Sequence, residues 1–228
     1  MPAGTITALR AQAKDPQRVN VFINDTFAIG VSLNTITKVG LYVGQTLDDD
    51  AYARLEHTES SDKALHAALR LLEARPRSIA EIRDRLRRKD FADEAIDAAI
   101  TRLQALDMLD DAAFARLWVE HRQANQPRGV SALRDELRRK GIDRSLIDTT
   151  LSDDTLTEGE DERAMTIARG ALRKYASSPN RVTFQRRMGS YLQRRGFSFQ
   201  TIGPILDTLW NEVQGAAEEE EEETEISE

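Results

Sequence analysis

Apolar residues recur at helical spacing over most of the chain after residue 60. In residues 61–73 they stand at positions 65, 68, 69 and 72, which predicts an amphipathic helix. Pro76 ends this helix, because proline disfavours helical backbone at the residue before it. Ser78 and Glu81 have the spacing of a capping box and predict the start of a second helix. Asp93 is expected to be the N-cap residue of a third helix.

The same apolar pattern returns twice further along the chain. A shift of 51 residues, and then one of 55, brings equivalent apolar positions into register. The register runs from Ile82 and Leu86 to Leu133 and Leu137, and then to Met188 and Leu192. Periods of this length are typical of helical arrays whose units are too small to bury their apolar faces alone. The pattern therefore predicts tandem three-helix repeats of helix-turn-helix type.

The first sixty residues follow a different pattern. Runs rich in β-branched and aromatic residues at 19–24 and 27–32 predict a β-hairpin. A weaker alternation at 5–12 predicts a further strand. A short helix is expected over 33–39, and the acidic residues at 48–50 favour the start of another. The predicted fold class is mainly α, with a small β-hairpin extension at the amino terminus.

These patterns divide the chain into five predicted segments. The glutamate-rich end cannot bury apolar surface and is expected to be disordered. In order, the segments are the extension 1–60, the three repeats 61–109, 110–157 and 158–214, and the acidic tail 215–228.

The net charge of −7 hides a polarised distribution of charge. Eight glutamates lie in the tail, and without them residues 1–214 carry about +1. Between Arg163 and Arg195 there are nine lysines and arginines and no acidic residue. Between Arg75 and Lys89 there are seven basic residues. Clusters of this kind are typical of a surface that binds a polyanion or an acidic partner.

Residues that carry catalysis are sparse. The chain has no cysteine, three scattered histidines and no glycine-rich phosphate loop. We therefore expect no enzymatic activity, no cofactor and no metal site. No leader pattern or long apolar run is present, so a cytosolic protein without membrane association is expected.

One aromatic pair has two interpretations. Phe114 and Trp118 stand four residues apart on a helix that Asp110 or Asp111 is expected to cap. We interpret the pair as a buried anchor between units rather than a platform for bases, because large aromatics at helical spacing usually fill cores.

A helix-turn-helix DNA reader is a rival interpretation of the repeats. In that motif the helix after the turn enters the major groove. The corresponding helix of the first repeat carries three acids against one arginine. Backbone or protein-surface binding is therefore favoured over base reading.

Several short motifs resemble the RecX family of recombination regulators. They are Arg-Pro-Arg-Ser before a basic helix, Leu-Asp-Asp-x-x-Phe-Ala-x-x-Trp, Pro-Arg-Gly, and Leu-Arg-Arg-Lys-Gly-Ile. The segment RVNVFINDTFAIGVSL resembles the hairpin extension of some members. The resemblance implies three tandem three-helix units in a curved array without enzymatic activity. It further implies binding to RecA in the groove of the RecA–DNA filament, where ATP hydrolysis and strand exchange are limited.

The resemblance also implies a monomer that acts in homologous recombination, DNA repair and the SOS response. RecA and its nucleoprotein filament are the expected partners, with single- or double-stranded DNA as a further ligand.

The alternative is a general nucleic-acid-binding or architectural protein that contacts phosphates without RecA. The candidate binding residues are Arg77, Arg85, Arg88, Lys89, Arg128, Arg138, Arg139, Lys140, Arg173, Lys174, Arg187, Arg194 and Arg195.

Overall fold

A computed structural model describes residues 3–153, 156 and 159–225, with side chains up to residue 215. Contacts divide the chain into two compact units, Met1–Asp110 and Asp111–Glu228. Residues 226–228 of the predicted acidic tail lie outside the described residues.

The first unit begins with a small antiparallel sheet. Its strands, in the order β3-β2-β1-β4, are β1 (Gly4–Gln12), β2 (Asp15–Ile23), β3 (Thr26–Ser32) and β4 (Thr46–Leu47). Asn24 and Asp25 join β2 to β3 with φ angles of 49° and 63°. Asparagine and aspartate tolerate this left-handed conformation, which suits a tight hairpin turn. The predicted hairpin is confirmed, within a sheet of four strands.

In sequence, one helix precedes β4 and a second, longer helix follows it. Helix α1 (Leu33–Val39) agrees with the prediction, whereas α2 (Asp49–Ala74) replaces two predicted helices by one of 26 residues. Asp48 caps α2 by accepting a hydrogen bond from the Ala51 amide at 2.7 Å. No glycine or proline interrupts the sequence of α2, so the helix propagates without a second nucleation step and crosses the predicted boundary at residue 60.

Two buried carboxylates of α2 bind it to the sheet and to α1. Glu59 is 1% exposed and Asp62 3% exposed. Glu59 accepts a hydrogen bond from the Ser32 amide at 2.8 Å and pairs with Arg18 at 2.9 Å. Asp62 pairs with Lys38 at 2.8 Å. Burial raises the pKa of Asp62, but hydrogen bonds from Lys38 and other neighbours outweigh burial and hold the pKa below its ordinary value.

The first three-helix repeat consists of the second half of α2, α3 (Ile79–Arg87) and α4 (Asp93–Gln104). The predicted capping box of Ser78 and Glu81 is confirmed. The prediction that Asp93 caps α4 is wrong, because Ala92 holds the cap position. Asp93 lies one residue inside the helix, where its carboxylate accepts a hydrogen bond from Arg87 Nε at 2.8 Å. A carboxylate in the first turn still favours the helix dipole.

The second unit contains two further three-helix repeats. They comprise α5 (Asp111–Asn125), α6 (Val130–Arg139), α7 (Arg144–Leu151), α8 (Glu160–Tyr175), α9 (Arg181–Gln193) and α10 (Phe199–Glu225). The apolar positions found by the sequence shifts are buried in both repeats. They belong to two separate cores, one around Leu133, Leu137 and Ile147, the other around Met188, Leu192 and Ile202. The predicted tandem repeats are confirmed.

Helix α10 continues to Glu225, past Gly215, where the sequence predicts a disordered tail. Alanine and glutamate are strong helix formers. A helix already nucleated by packed residues such as Leu209 extends at low cost into such a segment.

The second helix of every repeat ends in the same turn. Asp90, Gly141 and Gly196 follow α3, α6 and α9 with φ angles of 60°, 76° and 86°. The next amide in each case donates back to a carbonyl five residues earlier, for example from Ile142 to Leu137 at 3.1 Å. The second helix of each repeat therefore ends in a left-handed turn, with aspartate in place of glycine in the first repeat.

Two glycines bring the repeats of the second unit into backbone contact. The Gly129 amide, just before α6, donates to the Arg195 carbonyl at 3.0 Å. A Cβ atom at Gly129 would lie 2.2 Å from the Gly196 carbonyl oxygen. The adjacent Val130 amide donates to Glu160 Oε1 at 3.1 Å. Only glycine permits this approach, which fixes the end of α9 beside the start of α6.

Candidate polyanion-binding surface

A pair of basic residues precedes the left-handed turn in each repeat. The pairs are Arg88 with Lys89, Arg139 with Lys140, and Arg194 with Arg195. Cations are favoured at this end of a helix because the carbonyl end of the dipole is negative. The turn therefore places the three pairs at equivalent positions, with four side chains exposed and those of Lys140 and Arg195 half-buried.

In the first repeat the predicted binding residues differ in exposure and pairing. Arg85 and Lys89 are exposed and form no ion pair with the part of the chain that the structure describes. Arg88 pairs with Asp84 at 2.9 Å. Arg77 is half-buried, and its Nε donates to the Leu71 carbonyl at 2.9 Å. Burial lowers the pKa of Arg77, which is a packing residue rather than a free cation.

In the second repeat a carboxylate organises the basic residues. Glu136 accepts hydrogen bonds from Trp118 Nε1 at 2.9 Å and from Arg122 Nε at 2.7 Å. Arg128 lies 3.9 Å from the other carboxylate oxygen of Glu136. Arg138 pairs with Asp135 at 3.0 Å. Arg128 and Arg138, both predicted binding residues, therefore have acidic neighbours.

Trp118 differs from its prediction as a buried anchor between units. Phe114 is buried as expected, but Trp118 is half-buried and packs within its own repeat. The two rings stack at 6.0 Å, and Arg122 and Lys140 lie over the indole at 4.8 and 4.5 Å. The indole N–H needs a polar acceptor, which keeps one edge of the ring near the surface. Helix α5 begins at Asp111, so its capping by Asp110 or Asp111 stays a prediction.

In the third repeat two tyrosines organise the predicted cations. Lys174 and Arg187 lie over the Tyr175 ring at 5.8 and 5.4 Å. Arg195 lies over the Tyr191 ring at 4.8 Å. Arg173 and Arg194 are exposed, and neither forms an ion pair with the described side chains.

Other arginines of the third repeat are neutralised from α10. Arg169 pairs with Glu212, and Arg181 pairs with Asp207 at 2.7 Å. Residues 163–195 contain no acidic residue, but in the structure carboxylates of α10 lie beside two of their arginines.

Sequence reasoning missed three residues of these surfaces: Glu136, Tyr175 and Tyr191. Tyr191 stands four residues from both Arg187 and Arg195, a helical spacing that brings side chains together. That spacing was a usable signal. Glu136 had none, because its partners depend on how α5 packs against α6.

Two negative findings apply to the described residues. No group of histidine, cysteine, aspartate and glutamate side chains in them could hold a metal ion. In the same part of the chain no helix is both long enough and apolar enough to span a membrane.

The fold and these surfaces define a class: a helical-repeat protein with cationic helix ends and a small amino-terminal antiparallel sheet. Family profiles identify the repeats as the first, second and third three-helix domains of RecX, over residues 64–103, 110–151 and 158–206. The Regulatory protein RecX N-terminal domain matches residues 4–48. The chain belongs to the RecX family.

Individual relatives agree with this assignment. The chain is 32% identical to "Regulatory protein RecX" of Bacillus licheniformis, over 94% of this chain and 81% of the relative. It is 31% identical to the protein of that name from Clostridium acetobutylicum, over 93% of this chain and 99% of the relative. The crystal structure of a regulatory protein RecX superposes with a TM-score of 0.75 at 26% identity. That match covers 89% of this chain and 98% of the other.

Proposed function

We propose that this protein binds RecA and the RecA–DNA filament and lowers its ATP hydrolysis and strand exchange. The observation that carries the proposal is the basic pair at the end of the second helix in every repeat. Arg85, Lys89, Arg139 and Arg194 are exposed and form no ion pair with the described side chains, so they keep charge for a partner. Several weak cationic contacts on one chain bind a repetitive filament with higher affinity than any one contact alone.

The regulatory role named in its relatives supports this proposal. A protein that acts on a filament needs contacts that repeat, because the filament itself repeats. Three similar helix ends on one chain meet that requirement.

The deciding experiment is a titration of this protein into RecA ATPase on single-stranded DNA. We expect the rate to fall at less than one molecule per RecA. A DNA-dependent ATPase unrelated to RecA, assayed on the same DNA, should keep its rate. Equal loss of both activities would favour the alternative, a general nucleic-acid-binding protein that acts without RecA.

A matched pair of variants tests the proposed surface. Arg139→Glu with Arg194→Glu reverses two exposed charges at the ends of second helices, whereas Arg102→Glu with Arg116→Glu reverses two exposed charges on the third helix of the first repeat and the first helix of the second. The helix-end double variant should bind the filament more weakly, and the control should not. Equal weakening would show that overall charge, rather than the helix ends, governs binding.

A further inference from the structure

A shallow depression of about 340 Å³ lies against α9 and the end of α8. It is lined by Tyr175, Arg186, Arg187, Ser190 and Arg194. From this lining we infer that the depression is a binding site for the phosphodiester backbone of a nucleic-acid strand. The inference rests on the proposed function in one respect: the depression includes Arg194, one of the cations proposed to contact the filament, and the inference names the ligand of that cation.

The charge of the depression is not compensated by the described part of the chain. Arg186, Arg187 and Arg194 are exposed, and none of them forms an ion pair with a described side chain. Other arginines of this repeat differ, because Arg169 and Arg181 have carboxylate partners on α10. Three uncompensated guanidinium groups on one lining repel each other, and a bound anion relieves that repulsion.

Packing against tyrosine orients one of these guanidinium groups. Arg187 lies over the ring of the buried Tyr175 at 5.4 Å. A guanidinium stacked on a ring keeps its N–H edges available for an oxyanion, and its fixed plane loses less entropy on binding. The Ser190 hydroxyl, one turn further along α9, supplies a neutral donor in the same lining.

The spacing of the cations suits a strand rather than an isolated anion. Arg194 directly follows α9 and stands about two helical turns from Arg187, roughly 10.5 Å along the helix axis. Stacked nucleotides advance about 3.4 Å each, so this distance spans about three phosphates. A nucleic-acid strand presents its phosphates at regular spacing, whereas carboxylates on a protein surface have no such repeat, and each forked guanidinium can bind two oxygens of one phosphate.

The same geometry implies binding without base recognition. Tyr191 is the neighbouring aromatic residue, but Arg195 covers its ring at 4.8 Å and Tyr175 packs against it at 5.8 Å. A ring engaged in this way does not offer a free face for stacking on a base. The site should therefore bind strands of different sequence equally well.

The test is binding of the full-length chain to fluorescent oligothymidine without RecA, measured over a range of salt concentrations. Each lost phosphate contact reduces the slope of log affinity against log salt by about 0.7 for single strands. Arg187→Gln with Arg194→Gln should therefore reduce the slope by about 1.4 and weaken binding about ten-fold at 0.15 M salt.

Arg169→Gln with Arg181→Gln is the matched control. It removes the same charge from the same repeat but takes arginines that are already paired. Its slope should equal that of the wild type, and far-ultraviolet circular dichroism should show folded protein for both double variants. Equal loss in the two doubles, or wild-type affinity and slope in the site double, would overturn the inference.

A separate filament-binding assay identifies which proposal fails. If the site double loses filament affinity but binds oligothymidine normally, the depression contacts protein and the phosphodiester assignment is wrong. If oligothymidine binding behaves as expected while the wild type leaves RecA ATPase unchanged, the proposed function fails and this site stands.

Discussion

The close contact between Gly129 and Gly196 can be tested by adding one methyl group, in the variant Gly129→Ala. Gly129 has φ −73° and ψ 160°, a conformation open to any residue, so Gly129→Ala adds no backbone strain of its own. Its new Cβ would lie 2.2 Å from the Gly196 carbonyl oxygen and 2.5 Å from the Phe197 amide nitrogen. Both atoms belong to the backbone, which cannot rotate away.

The size of the effect follows from these distances. Ordinary contact begins near 3.4 Å, so the two segments must separate by more than 1 Å. Overpacking of this kind costs about 1–3 kcal/mol. The separation also breaks the hydrogen bond from the Gly129 amide to the Arg195 carbonyl, at a cost of about 1 kcal/mol. Gly129→Ala should therefore lower the free energy of unfolding by about 2–4 kcal/mol.

The chain offers a matched control in Gly170. This glycine is exposed inside α8, and nothing lies within 4 Å of a Cβ built there. Gly170→Ala should raise the free energy of unfolding by about 0.5–1 kcal/mol, because alanine loses less backbone entropy in a helix. Urea denaturation followed by circular dichroism measures both variants. A Gly129→Ala protein as stable as the wild type would refute the proposed contact.

Three further changes test other parts of the fold. The pKa of Asp62 lies below its ordinary value of 3.8, so its ion pair stabilises the protein above that value and is lost as pH falls through the lowered pKa. Asp62→Asn should therefore reduce the urea midpoint at pH 7 but have less effect in strong acid; a pH-independent loss would contradict this reasoning. Trp118→Phe keeps the ring but loses the hydrogen bond to Glu136, which should cost about 1.5–3 kcal/mol in thermal unfolding. Asp90→Gly removes left-handed strain and should stabilise the first repeat by about 1 kcal/mol in urea denaturation; a loss of stability would show that the aspartate side chain supports the turn.

Sequence patterns predicted the repeats well because each repeat is built from local signals. The spacing of Ile82 and Leu86 defines an apolar helix face, and the capping box of Ser78 and Glu81 fixes where that helix begins. The left-handed turn at Gly141 follows from the conformational freedom of one residue. These signals act within a few residues, so they are readable without knowledge of the packing.

The helix starts and boundaries that were mispredicted also have a local explanation. The first helix of the first repeat was expected to begin near residue 61, yet α2 begins at Asp49, because nothing in the intervening sequence stops it. Asp93 was expected at the cap position of α4, but Ala92 holds it and Asp93 is the first residue of the helix. Helix propensity indicates that a segment forms a helix, but the sequence locates the end of that helix only where a helix-breaking residue such as proline or glycine is present.

The sequence by itself determined the three cationic helix ends, since their basic pairs and turn residues are neighbours in the chain. The tertiary structure alone decided which cations remain free. Arg169 meets Glu212 across 43 residues of sequence, and Arg181 meets Asp207 across 26, because α10 packs beside α8 and α9. Arg187 and Arg194 find no such partner among the described side chains. Ion pairing depends on distance in space, and only the packing of the helices sets that distance.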